Sequence, residues 1–421
     1  MIPKAAATLP TVDETSLRYT GWRVVLTCFL ISLFIFGFGL YGHGVYVAEF
    51  QRLRGWPPAL IAGASTLSFL ISNISVAFTN ELLTRFGARR LVLAGIAVLT
   101  ASTVLLAFAT EPWQLYAAFI LMAFGWIGMG IVVTATIVSD WFVHRRGLAI
   151  SLAFNGASCG GVVVAPMLVL LVEKMGFAAA MLVTTTVMLV VLVPTVLAWI
   201  GPPPSGGALA ARQPQASSAP QATRDQTHVS RATVLRQPAF WTITLPLALA
   251  HVAQIGFIVH QITLLEPKIG RPGAGFAVAL TTFLAVTGRF CLGIVVDRLN
   301  PRGVMAAALV SQAAALLIIT QTDNAPIVFV ACAIFGFSIG NPITLPPLII
   351  HREFDTKAFA VVMGLTTALA GSIGALGPGL IGLVRGWSGD YGVALAICIL
   401  LELIAAAIVF SGAKSLSRLE V

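Results

Sequence analysis

The sequence predicts an all-α membrane protein whose twelve transmembrane helices form two pseudo-symmetric six-helix bundles. Three observations support this fold class: the composition, the number of apolar runs and a motif repeat between the halves. Hydrophobic residues make up 58% of the 421 residues and charged residues only 10%, against about 25% in soluble proteins. The mean hydropathy is +0.94. This composition excludes cytosolic enzymes, secreted modules and disordered scaffolds.

Twelve apolar runs are long enough to be transmembrane helices, since each such helix needs about 20 apolar residues. The first six runs are 22–48, 59–82, 90–110, 113–138, 147–172 and 178–200. The second six are 239–263, 273–296, 303–321, 325–350, 358–384 and 391–411. The first 20 residues are polar, so we expect no signal peptide.

A segment of different composition separates the two sets of helices. Residues 201–238 are rich in Pro, Ser, Ala, Gln and Arg, as expected for a solvated linker with a short helix near its end. We therefore predict five regions, which are a tail (1–21), a first bundle (22–200), the linker (201–238), a second bundle (239–411) and a second tail (412–421).

The distribution of Lys and Arg predicts the orientation in the membrane. Placing both termini in the cytoplasm puts 18 of the 25 basic residues on that side and 6 in the outer loops, as the positive-inside rule requires. This distribution accounts for the net charge of +9 without a nucleic-acid partner, because the bases face an anionic leaflet. The remaining base is Arg289, inside the eighth predicted helix.

Short motifs recur at matching places in the two halves. The loop after the second predicted helix reads TRFGARR from Thr84, and the loop after the eighth reads DRLNPR from Asp297. HRRG from His144 is matched in the same way by HRE from His351. Such a repeat around a central linker is typical of transporters whose halves rock about a midplane site.

Residues 21–411 resemble the major facilitator superfamily, and within it the branch of monocarboxylate transporters and the oxalate:formate antiporter. The stretches that carry this resemblance are GWRVV from Gly21, HRRGLAISLAFNGASCGG from His144, VHQITLLEPKIG from Val259 and TGRFCLGIVVDRL from Thr287. The resemblance implies a secondary active transporter of small organic anions. It is expected to bind a monocarboxylate and to work by alternating access with proton symport or anion exchange.

The superfamily's loop motif GxxxDRxGRR implies a conformational latch. Asn80, Thr84 and Ala88 replace its Gly, its Asp and one base in the first half, so we expect a weaker latch there. The loop residues that are expected to form further cytoplasmic salt bridges, which bias alternating access, are Asp140, Arg145, Arg146, Glu353 and Asp297. The latch candidates are Arg85, Arg89, Asp297, Arg298, Asp140, Arg145 and Arg146.

Arg289 is the principal candidate for substrate binding. It lies eight residues before Asp297, about 12 Å into the membrane, where an arginine costs about 2.5–3.5 kcal/mol on insertion scales. We therefore expect it to face a wet cavity or a partner. A guanidinium donates to both carboxylate oxygens at once. In the resembling family the arginine of the eighth helix binds the substrate carboxylate.

Departures from the family pattern narrow the expected substrate. The oxalate:formate antiporter carries a second cation at the position of Ala370, so we expect a monocarboxylate rather than a dianion. Proton-coupled members carry an Asp at the position of Ala285, so proton coupling needs another group or is absent. The helix 5 motif of drug:proton antiporters, GxxxGPxxGG, is not reproduced around Gly156 and Pro166, which disfavours drug efflux.

Histidine is the natural alternative proton carrier, because its ordinary pKa is about 6.5. We rank His260 first, His43 second and His251 third, and hydrogen-bonded packing remains an alternative for each. His251 and His260 are nine residues apart, which turns them to opposite faces of a helix. We therefore expect that the two histidines cannot both line the cavity.

Other polar residues inside the predicted helices either bind substrate or join helices together. These candidates are Tyr41, Tyr46, Asn73, Asn155, Gln254, Asn341 and Thr366.

The sequence shows no HExxH motif, no GxSxG motif with a histidine and no paired Asp residues at depth, so we expect no enzyme, cofactor or metal site. The expected partners are a small carboxylate, protons and the lipid bilayer. We expect a monomer in a bacterial inner membrane. The alternatives are a drug/proton efflux antiporter and a non-transporting sensor on the same fold.

Overall fold

The protein is a helical bundle in every part that the structure describes. The computed structural model describes residues 14–16, 18–142, 144–201, 231–295, 299–355 and 358–416. Ten helices in these ranges are long and apolar enough to cross a membrane, and one of them, Pro238–Leu292, contains two consecutive spans. With the shorter apolar helix Ala325–Ile339, the described residues supply twelve spans. The predicted fold class is confirmed.

The first six spans are continuous or are broken only by a short irregular turn. They are α1 (Gly21–Arg54), α2 (Pro58–Phe86), α3 (Ala88–Ala107), α4 (Pro112–Trp141), α5 (Arg146–Met175) and α6 (Phe177–Trp199). π-helical turns interrupt α1 at Gly37–Tyr41 and α5 at Gly160–Val164. The helix α1 runs past its predicted end at residue 48, because the polar sequence AEFQRLR still favours a helix, and it stops at Gly55 (φ 64°).

The second six spans follow a short helix, Arg231–Leu235. α7 (238–269) and α8 (271–295) form one helical run that is interrupted at Gly270, whose φ of 72° suits glycine. The loop predicted between them is therefore reduced to one residue. The remaining spans are α9 (Pro301–Gln321), α10 (Ala325–Ile339 and Asn341–Glu353), α11 (Phe359–Gly374 and Gly377–Ser388) and α12 (Gly392–Leu416).

Glycines bring two pairs of helices into backbone contact. A Cβ atom at Gly156 of α5 would collide with the backbone of Phe29 on α1. A Cβ atom at Gly288 of α8 would likewise collide with the carbonyl of Phe337 on α10. These close approaches fix the position of α5 against α1 and of α8 against α10.

The two halves touch each other along α1 and α7, and along α2 and α11. A Cβ atom at Gly44 would lie 3.3 Å from the carbonyl oxygens of Ile258 and Val259. The backbone N–H of Gly379 donates to Thr66 Oγ1 at 2.8 Å. These contacts lie toward the end of the bundle that carries the α1–α2, α7–α8 and α11–α12 connections, which we call the distal end. The end where α1 begins and α12 ends is the proximal end.

Candidate functional site

A cavity of about 230 Å³ lies between the two halves. α1 and α5 of the first half and α7, α8 and α10 of the second half contribute its lining side chains. A second cavity of about 340 Å³, lined by Leu284, Val330 and Phe337 among others, contains no charged side chain. The cavity between the halves is therefore the candidate site.

Arg289 of α8 lines this cavity. Its Nε donates to the carbonyl oxygen of Ala285 one turn earlier (3.2 Å), and its Nη2 donates to Ser158 Oγ of α5 (2.6 Å). Among the described residues, no carboxylate lies within ion-pair distance of Arg289. The guanidinium therefore enters the cavity with its charge uncompensated by any carboxylate of the described residues.

The stem of Arg289 fits against Gly340 of α10. A Cβ atom at Gly340 would lie 2.7 Å from Arg289 Cγ and would collide with the carbonyl of Ala285. Glycine at this position therefore lets α8 and α10 approach closely while the arginine side chain passes between them. Ala285 itself lines the cavity, so the position of the missing family Asp is beside Arg289.

Tyr41 and Thr282 place two hydroxyl groups near Arg289. Tyr41 ends the π-helical turn of α1, and its hydroxyl interacts with Thr282 and with the charge of Arg289. A Cβ atom at Gly161 of α5 would lie 2.6 Å from Thr282 Oγ1 and 2.9 Å from Tyr41 Cζ. Glycine at that position therefore makes room for both side chains.

The rest of the cavity is mainly apolar. Its wall includes Phe36 and Leu40 of α1, Ile255 and Ile258 of α7, and Ile339 of α10. A single permanent cation with nearby hydroxyl donors, facing an apolar wall, suits a small anion with an apolar body.

The three candidate histidines occupy different environments. His251 of α7 lines the cavity, interacts with the backbone of Ala370 on α11 and leaves its Nδ1 without a hydrogen-bond partner in the described part of the chain. His43 is fully buried in the first half, where its Nε2 lies 3.3 Å from Met122 Sδ and its ring stacks on Phe69.

His260 is also fully buried, and it does not line the cavity. Its Nε2 lies 3.1 Å from the carbonyl oxygen of Pro378, which only accepts, so Nε2 carries a proton. Its Nδ1 lies 3.0 Å from the hydroxyl of Tyr391. Burial raises the pKa of Tyr391 to about 12, so this hydroxyl keeps its proton. The histidine ranked first from the sequence thus lies outside the cavity, and the one ranked third lies inside it.

Tyr41 and Gln254 are the other sequence candidates that line the cavity. Gln254 Nε2 donates to Gln312 Oε1 of α9 at 2.9 Å. The side chain of Asn341 lies outside the described part of the structure.

Four further candidates do not line the cavity. Asn73 of α2 donates to the carbonyl oxygen of Gly371 on α11 (3.3 Å) and so joins the two halves. Thr366 bonds to Thr244 at 2.9 Å. Tyr46 is fully buried, with a hydroxyl that has no partner among the described residues. Asn155 is exposed.

The described latch candidates make contacts inside the first half. Arg89 donates to the carbonyl oxygen of Ile200 at the end of α6. Arg146 donates to the carbonyl oxygens of Phe142 and Ser139, and Arg85 lies over the ring of Phe86. The backbone N–H of Arg145 donates to Glu14 at 2.8 Å. Asp140 is half-buried in the last turn of α4. Asp297 and Arg298 lie outside the described residues.

Two ion pairs connect helices, and the sequence predicted a salt bridge only for Glu353, without its partner. Glu49 of α1 pairs with Arg271 of α8 across the two halves at the distal end, and it also binds Arg52 (3.0 Å). At the proximal end Arg302 makes a bidentate pair with Glu353, with distances of 2.6 and 2.7 Å. In the described residues, no group of three or more His, Cys, Asp or Glu side chains could hold a metal ion.

Comparison with known proteins identifies relatives of this chain. The family model described as Major Facilitator Superfamily matches residues 29–378. In fold, the chain resembles a bacterial homologue of the human lysosomal transporter Spinster, solved in an inward-facing and unoccupied conformation. That match has a TM-score of 0.65 and 16% identity, and it covers 96% of this chain and 98% of the other.

Relatives with similar sequences fall into two groups. Monocarboxylate transporter 13 of Bos taurus is 32% identical over 155 residues, 36% of each chain, and monocarboxylate transporter 11 of Homo sapiens is 29% identical over 158 residues. The aligned part spans only about a third of the length of these transporters. MFS-type transporter 1 of Ophiocordyceps sp. is 24% identical over 359 residues, 82% of this chain and 74% of that protein.

Proposed function

Since this chain belongs to the major facilitator superfamily, we propose that it is a secondary active transporter of small monocarboxylates. It moves the anion by alternating access, with proton symport or exchange for another anion. The observation that carries this proposal is the guanidinium of Arg289, which lines the cavity between the halves with no carboxylate of the described part of the chain in ion-pair contact with it.

The chemistry of the cavity favours a carboxylate as the substrate. An arginine at this depth is costly without a counterion, and a carboxylate provides two acceptors that match the planar guanidinium. At about 4 Å and an effective dielectric constant of about 20, the attraction is about 4 kcal/mol. This attraction is similar in size to the cost of burying the arginine, so the anion stabilises the site that receives it.

The size and the charge of the cavity favour a small monoanion. Pockets for drug-sized ligands have volumes of about 300–1,000 Å³, whereas this cavity has about 230 Å³. Arg289 is the one permanent cation among its lining residues, so a second carboxylate would remain uncompensated. Similarity to monocarboxylate transporters 13 and 11 supports the same substrate class.

The direct test is substrate binding and transport by Arg289→Ala and Arg289→Lys. Purified wild-type protein should be stabilised against heat by at least one of butyrate, lactate, pyruvate and benzoate, and should accumulate that acid in proteoliposomes. We expect both variants to insert and fold but to lose binding and uptake. Arg90→Ala, which removes an exposed arginine of α3, is the matched control and should behave as the wild type does.

The outcomes also separate the alternatives. Undiminished uptake in Arg289→Ala would reject the proposal. Accumulation of amphipathic cations instead of carboxylates would indicate the drug-efflux alternative, and ligand binding without accumulation would indicate a sensor.

A further inference from the structure

Glu402 is a buried carboxyl group in the middle of α12. Its side chain is 0% exposed, and neither oxygen has a hydrogen-bond partner among the described residues. An ionised carboxylate in this place would lose its hydration without gaining a compensating contact. The neutral, protonated group is therefore the form that these surroundings accommodate.

A second unpartnered group lies on the neighbouring helix α9. Gln312 is 0% exposed, and its Nε2 has no acceptor in the described part of the chain. Its Oε1 accepts from Gln254, which lines the cavity that contains Arg289. The two glutamines therefore form a polar connection from the cavity to α9, which packs against α12.

Gln312 and Glu402 lie at similar depths on these antiparallel helices. The register is fixed where Arg302 Nη1 donates to the carbonyl oxygen of Val409 (3.2 Å). Gln312 follows Arg302 by ten residues and Glu402 precedes Val409 by seven, which correspond to about 15 and about 10.5 Å of helical rise. Allowing for the length of the arginine side chain, the two groups are separated in depth by no more than about two helical turns.

Apart from Cys398 on α12 itself, the charged and titratable side chains in the described helices that pack around Glu402 are engaged elsewhere. Arg302 pairs with Glu353, His260 bonds to Tyr391 and Pro378, and Arg385 lies over the ring of Tyr391. Arg289 and His251 line the cavity, and Cys398 is one turn from Glu402 on α12 itself. The others lie at the distal end or on an exposed face: Glu266, Lys268, Arg271 and Cys291.

We propose that Glu402 is the proton-binding residue of this transporter and that Gln254 and Gln312 connect it to the anion cavity. The inference rests on the proposed function, because the proton is coupled to the transported anion. Glu402 holds one proton in the conformation described here, where its side chain is 0% exposed, and it takes up that proton from water when α12 is open to water. It releases that proton to water when α9 and α12 rearrange, admit water and bring the free N–H of Gln312 to its oxygens, since a donor stabilises the ionised form.

The test is transport by Glu402→Gln, which keeps the shape of the side chain but cannot exchange a proton. With whichever of butyrate, lactate, pyruvate and benzoate the wild type carries, an inward proton gradient should accelerate net uptake by the wild type. We expect Glu402→Gln to lose this acceleration and to retain counterflow of labelled against unlabelled acid. Gln312→Leu should weaken the acceleration, and Ser311→Ala, at a half-buried neighbouring position on α9, should leave it unchanged.

Full acceleration in Glu402→Gln overturns the inference, and so does a wild type that shows no acceleration. In either case, counterflow that depends on Arg289 still supports the proposed function, so the two failures are distinguishable. If Glu402→Gln does not fold, infrared spectra of the wild type and of Gln312→Leu test the inference instead. The infrared C=O band of a protonated carboxyl group should change when the acid binds to wild-type protein and not to Gln312→Leu, and an unchanged wild-type band overturns the inference.

Discussion

Ser158 contacts Arg289 from the opposite half of the molecule. Its hydroxyl accepts from Arg289 Nη2 at 2.6 Å, and its side chain lines the same cavity. This hydrogen bond holds the guanidinium at the cavity between the halves. Because the bond joins α5 to α8, any change in the distance between the halves also changes the geometry of the binding site.

Replacing Ser158 with alanine should weaken substrate binding without unfolding the protein. A hydrogen bond to a charged group contributes about 1.5–3 kcal/mol, so we expect the half-saturating concentration of the transported acid to rise about tenfold or more. The measurement is the concentration dependence of uptake in proteoliposomes. Ser151→Ala, which alters an exposed serine earlier on α5, is the control. Equal half-saturation in Ser158→Ala and wild type would contradict a role of Ser158 in substrate binding.

His260 has a structural position rather than a place in the cavity. Both ring nitrogens bond to groups at or near the distal part of α11, namely Tyr391 and Pro378. We expect His260→Ala to lower the free energy of unfolding by about 2 kcal/mol, because it leaves buried polar groups without partners. Thermal unfolding in detergent measures this change, and His351→Ala, at an exposed proximal position, should have little effect.

The pH response gives a second readout for His260. We expect His260→Ala to respond to a proton gradient as the wild type does, since its nitrogens are engaged inside the protein. If His260→Ala loses the response to the gradient while its stability is unchanged, His260 is the proton carrier.

At the scale of helices, the crossing of α8 and α10 determines where the guanidinium lies. Gly288 and Gly340 both bring the two backbones into contact, and Gly340 also faces the stem of Arg289. An arginine on α8 therefore reaches the cavity only because α10 presents no side chain at that point. Its place in the site depends on a neighbouring helix as much as on its own.

Adding one methyl group at Gly340 should disturb this crossing. The Cβ atom would lie 2.7 Å from Arg289 Cγ and would collide with the carbonyl of Ala285, so the helices must separate or the arginine must move. We expect Gly340→Ala to lower the apparent affinity for substrate at least tenfold, which corresponds to about 1.4 kcal/mol. Thermal stabilisation at increasing substrate concentrations measures this affinity. Gly364→Ala is a matched control, because a Cβ atom there has nothing within 4 Å. Equal affinity in the two variants would reject this account.

At the scale of the whole molecule, the ion pair between Glu49 and Arg271 joins the halves at the distal end. The side chain of Glu49 is 2% exposed and that of Arg271 14% exposed, so the pair is largely removed from water. Gly270, with its positive φ, begins α8 so that Arg271 meets α1. The pair stabilises the arrangement in which the distal parts of the halves are in contact.

Removing one partner of this ion pair should favour separation of the halves at the distal end. Loss of one member of a buried pair costs about 3–5 kcal/mol, because the other charge stays buried. We expect Glu49→Gln to lengthen the distance between spin labels at Lys174 and Gln321, near the distal ends of α5 and α9, in a cysteine-free background. Double electron–electron resonance spectroscopy measures that distance.

Two matched variants show whether the effect belongs to the pair. The exchange Glu49→Arg with Arg271→Glu should restore the wild-type distance. Arg52→Gln removes a partner of Glu49 on the same helix, with a side chain that is 53% exposed, and should change the distance little. A distance that is identical in Glu49→Gln and wild type would contradict a role for this pair in joining the halves.

The sequence by itself determined the features that depend on the membrane as a solvent. The shortage of charge and the twelve apolar runs predict the helices, because the hydrocarbon core accepts only long apolar segments. The same reasoning identifies Arg289, since a charge inside an apolar run is costly and stands out. Helix ends were less predictable, as at Arg54 and Gly270, because polar residues also form helices near the membrane surface.

The residues around Arg289 became evident only from the tertiary structure. Ser158 and Gly340 contact Arg289, and His251 lines the same cavity, although all three are remote from it along the chain. They come together because α5, α7 and α10 pack around α8. Helical periodicity turns His251 and His260 to opposite faces but does not say which face meets the cavity. That choice follows from how the two halves pack, and this packing results from contacts between residues distant in sequence, such as Glu49 and Arg271.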